Sequence, residues 1–225
     1  MQAGHTLASG QPHLVPVKAD AQEALFWTLM HRFEAHALAC YRRHAPLLAT
    51  AAKADVVRAT AAAATAQDQL AASDLAPRVE ALFACVAGEE RTATLLVQGL
   101  VLEHLGQSIY RIGEVAERTS PATRSLATAG RAASEEVTRL ALERIAADIG
   151  TGEVAYAVFA DVTHDALGAL DALSEPVDRV FGERFGLRFA DLLGEFTADL
   201  VGACTHLEMP RRKVVAHLAG ACMGL

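Results

Sequence analysis

From residue 18 onward, the chain consists of segments rich in Ala, Leu, Arg and Glu that glycine and proline separate. A strand would alternate apolar and polar residues and would be enriched in β-branched residues, and no segment has this pattern. Because the dominant residues favour helices, the sequence predicts an all-α fold. The predicted helices cover about residues 19–48, 52–72, 77–88, 89–113, 121–149, 153–172, 176–185, 188–207 and 210–223.

The longer predicted helices have the length found in four-helix bundles. We therefore expect residues 18–225 to form a single domain, a four-helix bundle with additional C-terminal helices, and residues 1–17 to form a flexible arm. The chain has 225 residues, of which 52% are hydrophobic, so it can bury a substantial core. Two helix starts carry residues that favour capping, Asp74 before one helix and Ser120-Pro121 before another.

The overall charge limits the partners and the location of the protein. The formal net charge is −7, which argues against a nucleic-acid partner. The longest apolar run, from Thr92 to Leu102, is too short to span a bilayer, and the N-terminus lacks the pattern of a signal peptide. The four cysteines are widely spaced and are typical of reduced thiols. We expect a cytoplasmic protein without a transmembrane segment.

A local pattern, Glu-x6-Tyr-Arg, occurs twice in the chain. It begins at Glu34 in FEAHALACYRR (33–43) and at Glu103 in LEHLGQSIYRI (102–112). A spacing of seven residues places Glu34 with Tyr41, and Glu103 with Tyr110, on one face of their helices. A buried carboxylate is costly unless a cation, a metal or several donors meet it. The repeat therefore predicts two helices that direct carboxylates into a shared core, where chemistry can occur.

The neighbours of these two acids define a candidate pocket. The helix faces that carry the two acids also hold candidate binding residues. These are Trp27, Met30 and His31 on the first helix, and Leu96, Gly99, Gly106 and Gln107 on the second. Phe33 is expected beside them. A glycine inside a helix costs about 1 kcal/mol relative to alanine. Gly99 and Gly106 therefore indicate either close helix packing or space for a ligand.

The segment LLVQGLVLEHLGQSIYR (95–111) resembles the central helix of the cyanobacterial-type aldehyde deformylating oxygenases, which are ferritin-like bundle enzymes. The first helix, with Glu34 and Tyr41, is similar to that family's first ligand helix. SEEVTRLALERI (134–145) is similar to the helix that carries its last Glu-x-x-His. The resemblance implies a ferritin-like bundle with two metal ions, usually iron, that converts a fatty aldehyde to an alkane and formate. It also implies Glu34, Glu103 and Glu136 as carboxylate ligands.

The chain departs from that family at the other ligand positions. Alanines around Ala61 and Ala64 take the place of one Glu-x-x-His pair, and Arg139 takes the place of the last histidine. The sequence therefore predicts an altered or lost di-iron site, in which the Arg139 guanidinium compensates Glu103 or Glu136. An alternative is a mononuclear site completed by His31 or by His104, although His104 lies about 100° from Glu103 around the helix. We expect no cofactor, with iron or manganese as the alternative.

Two functions remain open at this point. The leading hypothesis is an enzyme that acts on an apolar or acyl-like small molecule. It would use unusual metal-dependent oxidation, or metal-free acid–base catalysis by Glu34, Glu103 and Glu136 tuned by Arg139, with Tyr41 and Tyr110 in the candidate set. The alternative is a non-catalytic protein that binds a lipid or serves as a scaffold. A homodimer is a candidate assembly for either function.

Overall fold

A computed structural model describes residues 21–85, 91–117, 119–186 and 188–223. The predicted arm, residues 1–17, lies outside the described residues, as does the predicted interruption at Gly88. The described residues form helices and no strand, so the predicted all-α fold is confirmed. The helices are α1 (Ala21–His44), α2 (Ala51–Ala63), α3 (Gln67–Ala72), α4 (Leu75–Ala84), α5 (Arg91–Ala93), α6 (Glu103–Val115), α7 (Pro121–Asp148), α8 (Gly152–Asp171), α9 (Ser174–Phe185), α10 (Phe189–His206) and α11 (Arg211–Met223).

The two first predicted helices each divide into two elements, for local reasons. Pro46 disfavours helical geometry at the residue before it, so α1 ends at His44 and a 3₁₀ turn follows over Pro46–Leu48. The predicted second helix breaks between α2 and α3. At this break the backbone N–H of Ala66 donates a hydrogen bond of 3.1 Å to the hydroxyl of Thr28 on α1. The break therefore ties the connection between α2 and α3 to the first helix.

The two predicted caps have different outcomes. The Ser120 hydroxyl accepts a hydrogen bond of 3.1 Å from the backbone N–H of Thr123, and Pro121 begins α7, as the sequence predicts. The prediction for Asp74 is wrong, because its side chain makes no capping hydrogen bond at the start of α4. Asp74 instead forms an ion pair with Arg179 on α9.

The helix that carries Glu103 contains an unexpected segment. α5 and α6 are joined without a break by a π-helical segment, Thr94–Leu102, in which hydrogen bonds join residues five apart. π-Helical turns are rare and often occur at functional sites. All nine residues of this segment are buried. The segment therefore changes which side chains face the core immediately before Glu103.

The long helices pack around one core. α1 contacts α2 and the π-helical segment, and α7 contacts α2, α6 and the same segment. α8 covers the π-helical segment from outside and pairs with α11, while α10 lies on α6. The aromatic side chains Trp27, Tyr41 and Tyr110 are completely buried where α1 and α6 meet this core. Among the described helices, none combines the length and apolar character needed to cross a bilayer.

Candidate functional site

The centre of the bundle holds a lysine, Lys53, which is only 1% exposed. It lies in the first turn of α2, where its backbone N–H donates to the hydroxyl of the capping residue Thr50. The buried residues of α2 are Lys53, Val56, Thr60 and Ala63, which recur at the spacing of one helix face. The lysine therefore occupies the first position of the apolar stripe of α2, and the fold carries it into the core.

Lys53 connects the two predicted carboxylates. Its Nζ lies 2.6 Å from Oε2 of Glu34 and 2.7 Å from Oε2 of Glu103. The third nearby acceptor is the Ser134 hydroxyl on α7, at 3.4 Å. The ammonium group donates hydrogen bonds to Glu103 and Ser134 and forms an ion pair with Glu34, so its three partners lie on three different helices. Lys53 thus joins α2 to α1, α6 and α7 through one buried charge.

The two tyrosines of the repeat bind the carboxylates in a crossed arrangement. Tyr41, on the helix of Glu34, donates to Oε1 of Glu103 at 2.6 Å. Tyr110, on the helix of Glu103, donates to Oε1 of Glu34 at 2.6 Å. Each carboxylate therefore has one oxygen on a tyrosine and the other on Lys53. We call Glu34, Tyr41, Lys53, Glu103, Tyr110 and Ser134 the Lys53 cluster.

The charges of the Lys53 cluster are not balanced when both carboxylates are ionised, because two anions face one cation. Burial raises the pKa of Glu34 above its ordinary value, and the nearby Glu103 carboxylate adds to this, while Lys53 opposes it. Burial acts to lower the pKa of Lys53, but the two carboxylates outweigh it and raise that pKa. Burial and the adjacent carboxylates hold the pKa values of Tyr41 and Tyr110 well above the ordinary range. The tyrosines are therefore proton donors at neutral pH, and Lys53 is an ammonium.

The two glycines on either side of Glu103 have different roles. A Cβ on Gly99 would lie 3.1 Å from Cβ of Ala141 and 3.2 Å from Cδ1 of Leu48, so Gly99 permits close packing. A Cβ on Gly106 would meet nothing nearer than the Ser134 hydroxyl at 3.9 Å. Gly106 instead lines a cavity beside the Lys53 cluster. Both explanations that the sequence left open are therefore present, one at each glycine.

The cavity beside Gly106, which we call the polar cavity, is also lined by Glu34, Lys53, Gln98 and Glu103. It admits about one group the size of a water molecule. A second hollow, the apolar cavity, lies between α1, α4, α6, α9 and α10 and has only apolar residues in its wall. Its free volume is about 30 Å³. Phe33 and Ile109 belong to the walls of both cavities.

The remaining residues of the predicted pocket have separate positions. Met30 and Phe33 line the polar cavity. Trp27 is completely buried and donates from its indole nitrogen to Thr123 at 3.2 Å. The other three predicted residues line neither cavity. His31 Nδ1 is 3.2 Å from the Thr60 hydroxyl, and Gln107 donates to Thr138 at 2.8 Å. Leu96 is buried in the general core.

The prediction that Arg139 compensates the buried acids is wrong. Arg139 lies on the exposed face of α7 and pairs with Glu143, one turn further along the helix. Glu136 is also exposed, so it does not join the carboxylates of the core. On α7 the inward positions next to these residues belong to Ser134, Val137 and Thr138. The helical phase of α7, rather than the chemistry of its residues, explains the error.

The placement of the second helix and of the predicted histidines is also corrected. Ala61 is exposed and Ala64 lies beyond the end of α2, so neither occupies an inward position of that helix. His104 is buried, but its Nδ1 is 2.7 Å from the carbonyl oxygen of Leu100 within its own helix. His31 faces Thr60. Neither histidine contacts Glu34 or Glu103 through a hydrogen bond in the described structure.

A dimetal centre of the kind that the resemblance implies does not fit these residues. Such centres need several carboxylates and imidazoles around two cations. Here each of the two carboxylates directs an oxygen at an ammonium, and the described hydrogen bonds of His31 and His104 go to other groups. Throughout the described ranges, no group of three or more His, Cys, Asp or Glu side chains is arranged to hold a metal ion. The Lys53 ammonium supplies one positive charge to the two core carboxylates.

The sequence patterns do not predict Lys53, Ser134 or Gln98 as site residues. Lys53 gave a detectable signal, because it shares the spacing of the apolar stripe on an alanine-rich helix. Gln98 gave no such signal, because with the α-helical period it does not share a face with Glu103. Residues five apart on an α-helix are about 140° apart, whereas the i to i+5 bonds of a π-helix bring them to the same side. The backbone N–H of Glu103 bonds to the carbonyl of Gln98 in this way, and both side chains line the polar cavity.

Comparisons with known proteins give no family for this chain. A scan against models of protein families finds no match to this chain. A search of curated proteins also finds no match.

Proposed function

We propose that this protein is a metal-independent bundle protein of the ferritin-like type that binds an apolar, chain-like small molecule. The chain would lie in the apolar cavity, and its polar end would lie in the polar cavity beside the Lys53 cluster. The observation that carries the proposal is the position of Lys53 Nζ, 2.6 Å and 2.7 Å from the two carboxylates, in the wall of a polar cavity that shares Phe33 and Ile109 with an apolar hollow. The lysine takes the charge-compensating role of a metal and leaves the hollow in place.

The wall of the hollow supports binding, although the free volume of about 30 Å³ means that wall side chains must move apart to admit a chain. This wall contributes aromatic and aliphatic side chains from five helices, among them Phe26, Leu105 and Phe181. Burial of an alkyl chain against such a wall stabilises a complex by about 0.8 kcal/mol for each methylene group. An apolar chain is therefore the occupant that this wall favours.

A second candidate function is acid–base catalysis by Glu34 on the same bound molecule, which retains the link to the aldehyde deformylating oxygenases. It is favoured by the burial-raised pKa of Glu34 and by the position of Glu34 in the wall of the polar cavity. In such a step the carboxyl group would give a proton to the bound molecule and later take one back. Binding remains the better supported function, because the protons of Lys53, Tyr41 and Tyr110 are all directed at acceptors inside the cluster.

The proposal is tested with protein purified without added metal. Native mass spectrometry should detect a co-purifying apolar molecule or, after its removal, one bound N-phenylnaphthylamine per chain. Ile109→Trp should weaken binding of this probe by about tenfold or more, equivalent to about 1.4 kcal/mol, because Ile109 lies in both cavity walls. Ile112→Trp is the matched control, since Ile112 is also half-buried on α6 but lines neither cavity.

Absence of any bound molecule, or equal probe affinity in the two tryptophan variants, would contradict the binding function. The catalytic candidate is separated from it by Glu34→Gln. If Glu34 is an acid–base group, this variant loses turnover of any substrate that is found while it still binds the probe. Turnover that survives Glu34→Gln removes the catalytic candidate.

A further inference from the structure

Two buried oxygens at the Lys53 cluster accept no hydrogen bond within the described part of the chain: Oε2 of Glu34, which has an ion pair with Lys53, and Oε1 of Gln98. Gln98 is only 3% exposed, and its Oε1 accepts no hydrogen bond there. The same side chain lines the polar cavity. A buried amide oxygen without a donor costs about 1–3 kcal/mol, so Gln98 Oε1 requires a donor, and a molecule in the polar cavity would be in a position to supply it.

The other polar groups in the wall of the polar cavity are also acceptors. Glu34 and Glu103 present carboxylate oxygens, and each oxygen has spare lone pairs after its bond to Lys53 or a tyrosine. Among the described residues of this wall, the Lys53 ammonium is the one cation, and it is already bound by Glu103 and Ser134 through hydrogen bonds and by Glu34 through an ion pair. Apart from the amide nitrogen of Gln98, the described wall therefore offers acceptors and no free donor.

This arrangement has a consequence for the head group of a bound chain. A carboxylate, ether or aldehyde oxygen in the polar cavity would meet carboxylate oxygens, would find no donor on Lys53, and would have only the amide nitrogen of Gln98 as a donor. A hydroxyl or an amine would donate to Gln98 Oε1 and satisfy it. An ammonium would in addition meet a wall that holds two acids and one cation.

We infer that Gln98 selects the bound molecule, and that the head group it selects is a hydrogen-bond donor, an aliphatic alcohol or amine. This inference rests on the proposed function, because it assumes that the apolar cavity holds the chain of the same molecule. Gln98 is a specificity-determining residue in this account, and its position depends on the π-helical segment that carries it.

The test compares octyl compounds that share a chain and differ in the head group, measured by displacement of N-phenylnaphthylamine from the full-length protein. Octanol and octylamine donate a hydrogen bond, whereas octyl methyl ether, octanal and octanoate offer acceptors at neutral pH. One hydrogen bond to Gln98 corresponds to a difference of about threefold to tenfold in affinity. We expect octanol and octylamine to bind more tightly than the ether and the aldehyde by this factor, and octanoate to bind most weakly.

Gln98→Leu should abolish the preference for octanol over the ether and leave the affinity for the ether unchanged within about twofold. Gln107→Leu is the matched control, because Gln107 is buried on α6 but donates to Thr138 and lines neither cavity. It should keep the preference. The series of head groups on the unchanged protein needs no variant, so it decides the inference even if Gln98→Leu does not fold.

Each outcome has a distinct meaning. Equal affinity for octanol and the ether, or tighter binding of octanoate, overturns the inference while the binding function stands. Preference for octanol that persists in Gln98→Leu overturns the role of Gln98. Failure of every octyl compound to bind overturns the proposed function, and the inference with it.

Discussion

The ring of Tyr110 occupies the space that a side chain at position 130 would need. A Cβ built on Gly130 would lie 2.3 Å from Cζ of Tyr110 and 2.5 Å from one of its ring carbons, well inside the contact distance of real side chains. Gly130 lies on α7 and Tyr110 on α6, so the glycine lets the phenol pass between these helices. The phenol then reaches Glu34 on α1. The absence of a side chain on one helix thus positions the hydrogen bond between two others.

This relationship predicts that Gly130→Ala destabilises the protein. Alanine normally stabilises a helix interior by about 1 kcal/mol over glycine, but here the methyl group forces Tyr110 out of its position. Overpacking of this kind costs about 1–3 kcal/mol, and the net unfolding free energy in urea should fall. Gly106→Ala is the control, because its methyl group would meet nothing nearer than 3.9 Å. A Gly130→Ala variant as stable as Gly106→Ala would refute the relationship.

The unbalanced charge of the Lys53 cluster predicts a dependence of stability on pH. Burial raises the folded-state pKa of Glu34 above its ordinary value of 4.5, so the folded protein holds this proton more tightly than the unfolded chain does. The resulting stabilisation is complete below about pH 4.5 and is lost as the pH rises through the raised folded pKa. Glu34→Gln cannot titrate at this position. The unfolding free energy of the wild type minus that of Glu34→Gln should therefore decrease as the pH rises above 4.5.

Urea unfolding of both proteins from about pH 4 to about pH 8 measures this difference. A difference that stays constant, or that grows in favour of the wild type as the pH rises, would show that Glu34 is not the group with the raised pKa.

The surface positions of Glu136 and Arg139 predict that neither residue matters to the core. Arg139 is 60% exposed at its side chain and pairs only with Glu143 among the ion pairs of the described residues. Exposed ion pairs within a helix contribute about 0.3–0.5 kcal/mol. Arg139→Gln and Glu136→Gln should each change the unfolding free energy by less than about 0.5 kcal/mol. A fall of several kcal/mol in the unfolding free energy of either variant would contradict the exposed positions of these residues.

The sequence predicted the framework of the site through a repeated spacing. Glu34 with Tyr41, and Glu103 with Tyr110, were placed on common faces by the α-helical period, and all four side chains do meet in the core. The prediction succeeded because the same spacing of a carboxylate and a tyrosine in two helices indicates, from the local sequence alone, that the two faces meet in the core. The crossed pairing of the tyrosines was not predictable, because it depends on how α1 and α6 pack.

The compensating cation was predicted on the wrong helix for a reason of register. The resemblance of α7 to a family pattern predicts Arg139 as the cation, and a helix that is turned by one position moves a side chain by about 100°. The sequence does not predict the buried position of Lys53, because this position in the first turn of α2 depends on where that helix begins. The start of α2 is set by the Thr50 cap and by the preceding 3₁₀ turn that Pro46 introduces. Helix ends of this kind are the least certain part of a secondary-structure prediction from hydrophobic periodicity.

The π-helical segment accounts for the other errors at the site. With an α-helical period, Leu96 and Gly99 shared a face with Glu103, and Gln98 did not. The wider turn of Thr94–Leu102 instead brings Gln98 to the cavity, while Leu96 joins the general core and Gly99 packs against Leu48 and Ala141. Since every residue of this segment except Thr94, Gln98 and Gly99 is Leu or Val, hydrophobic pattern alone could not distinguish the two helical forms.

The central claim is that the Lys53 ammonium compensates the buried carboxylates of Glu34 and Glu103. Its most direct test is the free energy of unfolding of Lys53→Met, compared with that of the triple variant Lys53→Met/Glu34→Gln/Glu103→Gln at neutral pH. The single variant leaves two carboxylates buried without their cation and should lose about 3–5 kcal/mol. The triple variant removes the charges together and should recover most of that loss. A single variant that is as stable as the wild type, or a triple variant no more stable than the single one, would contradict the claim.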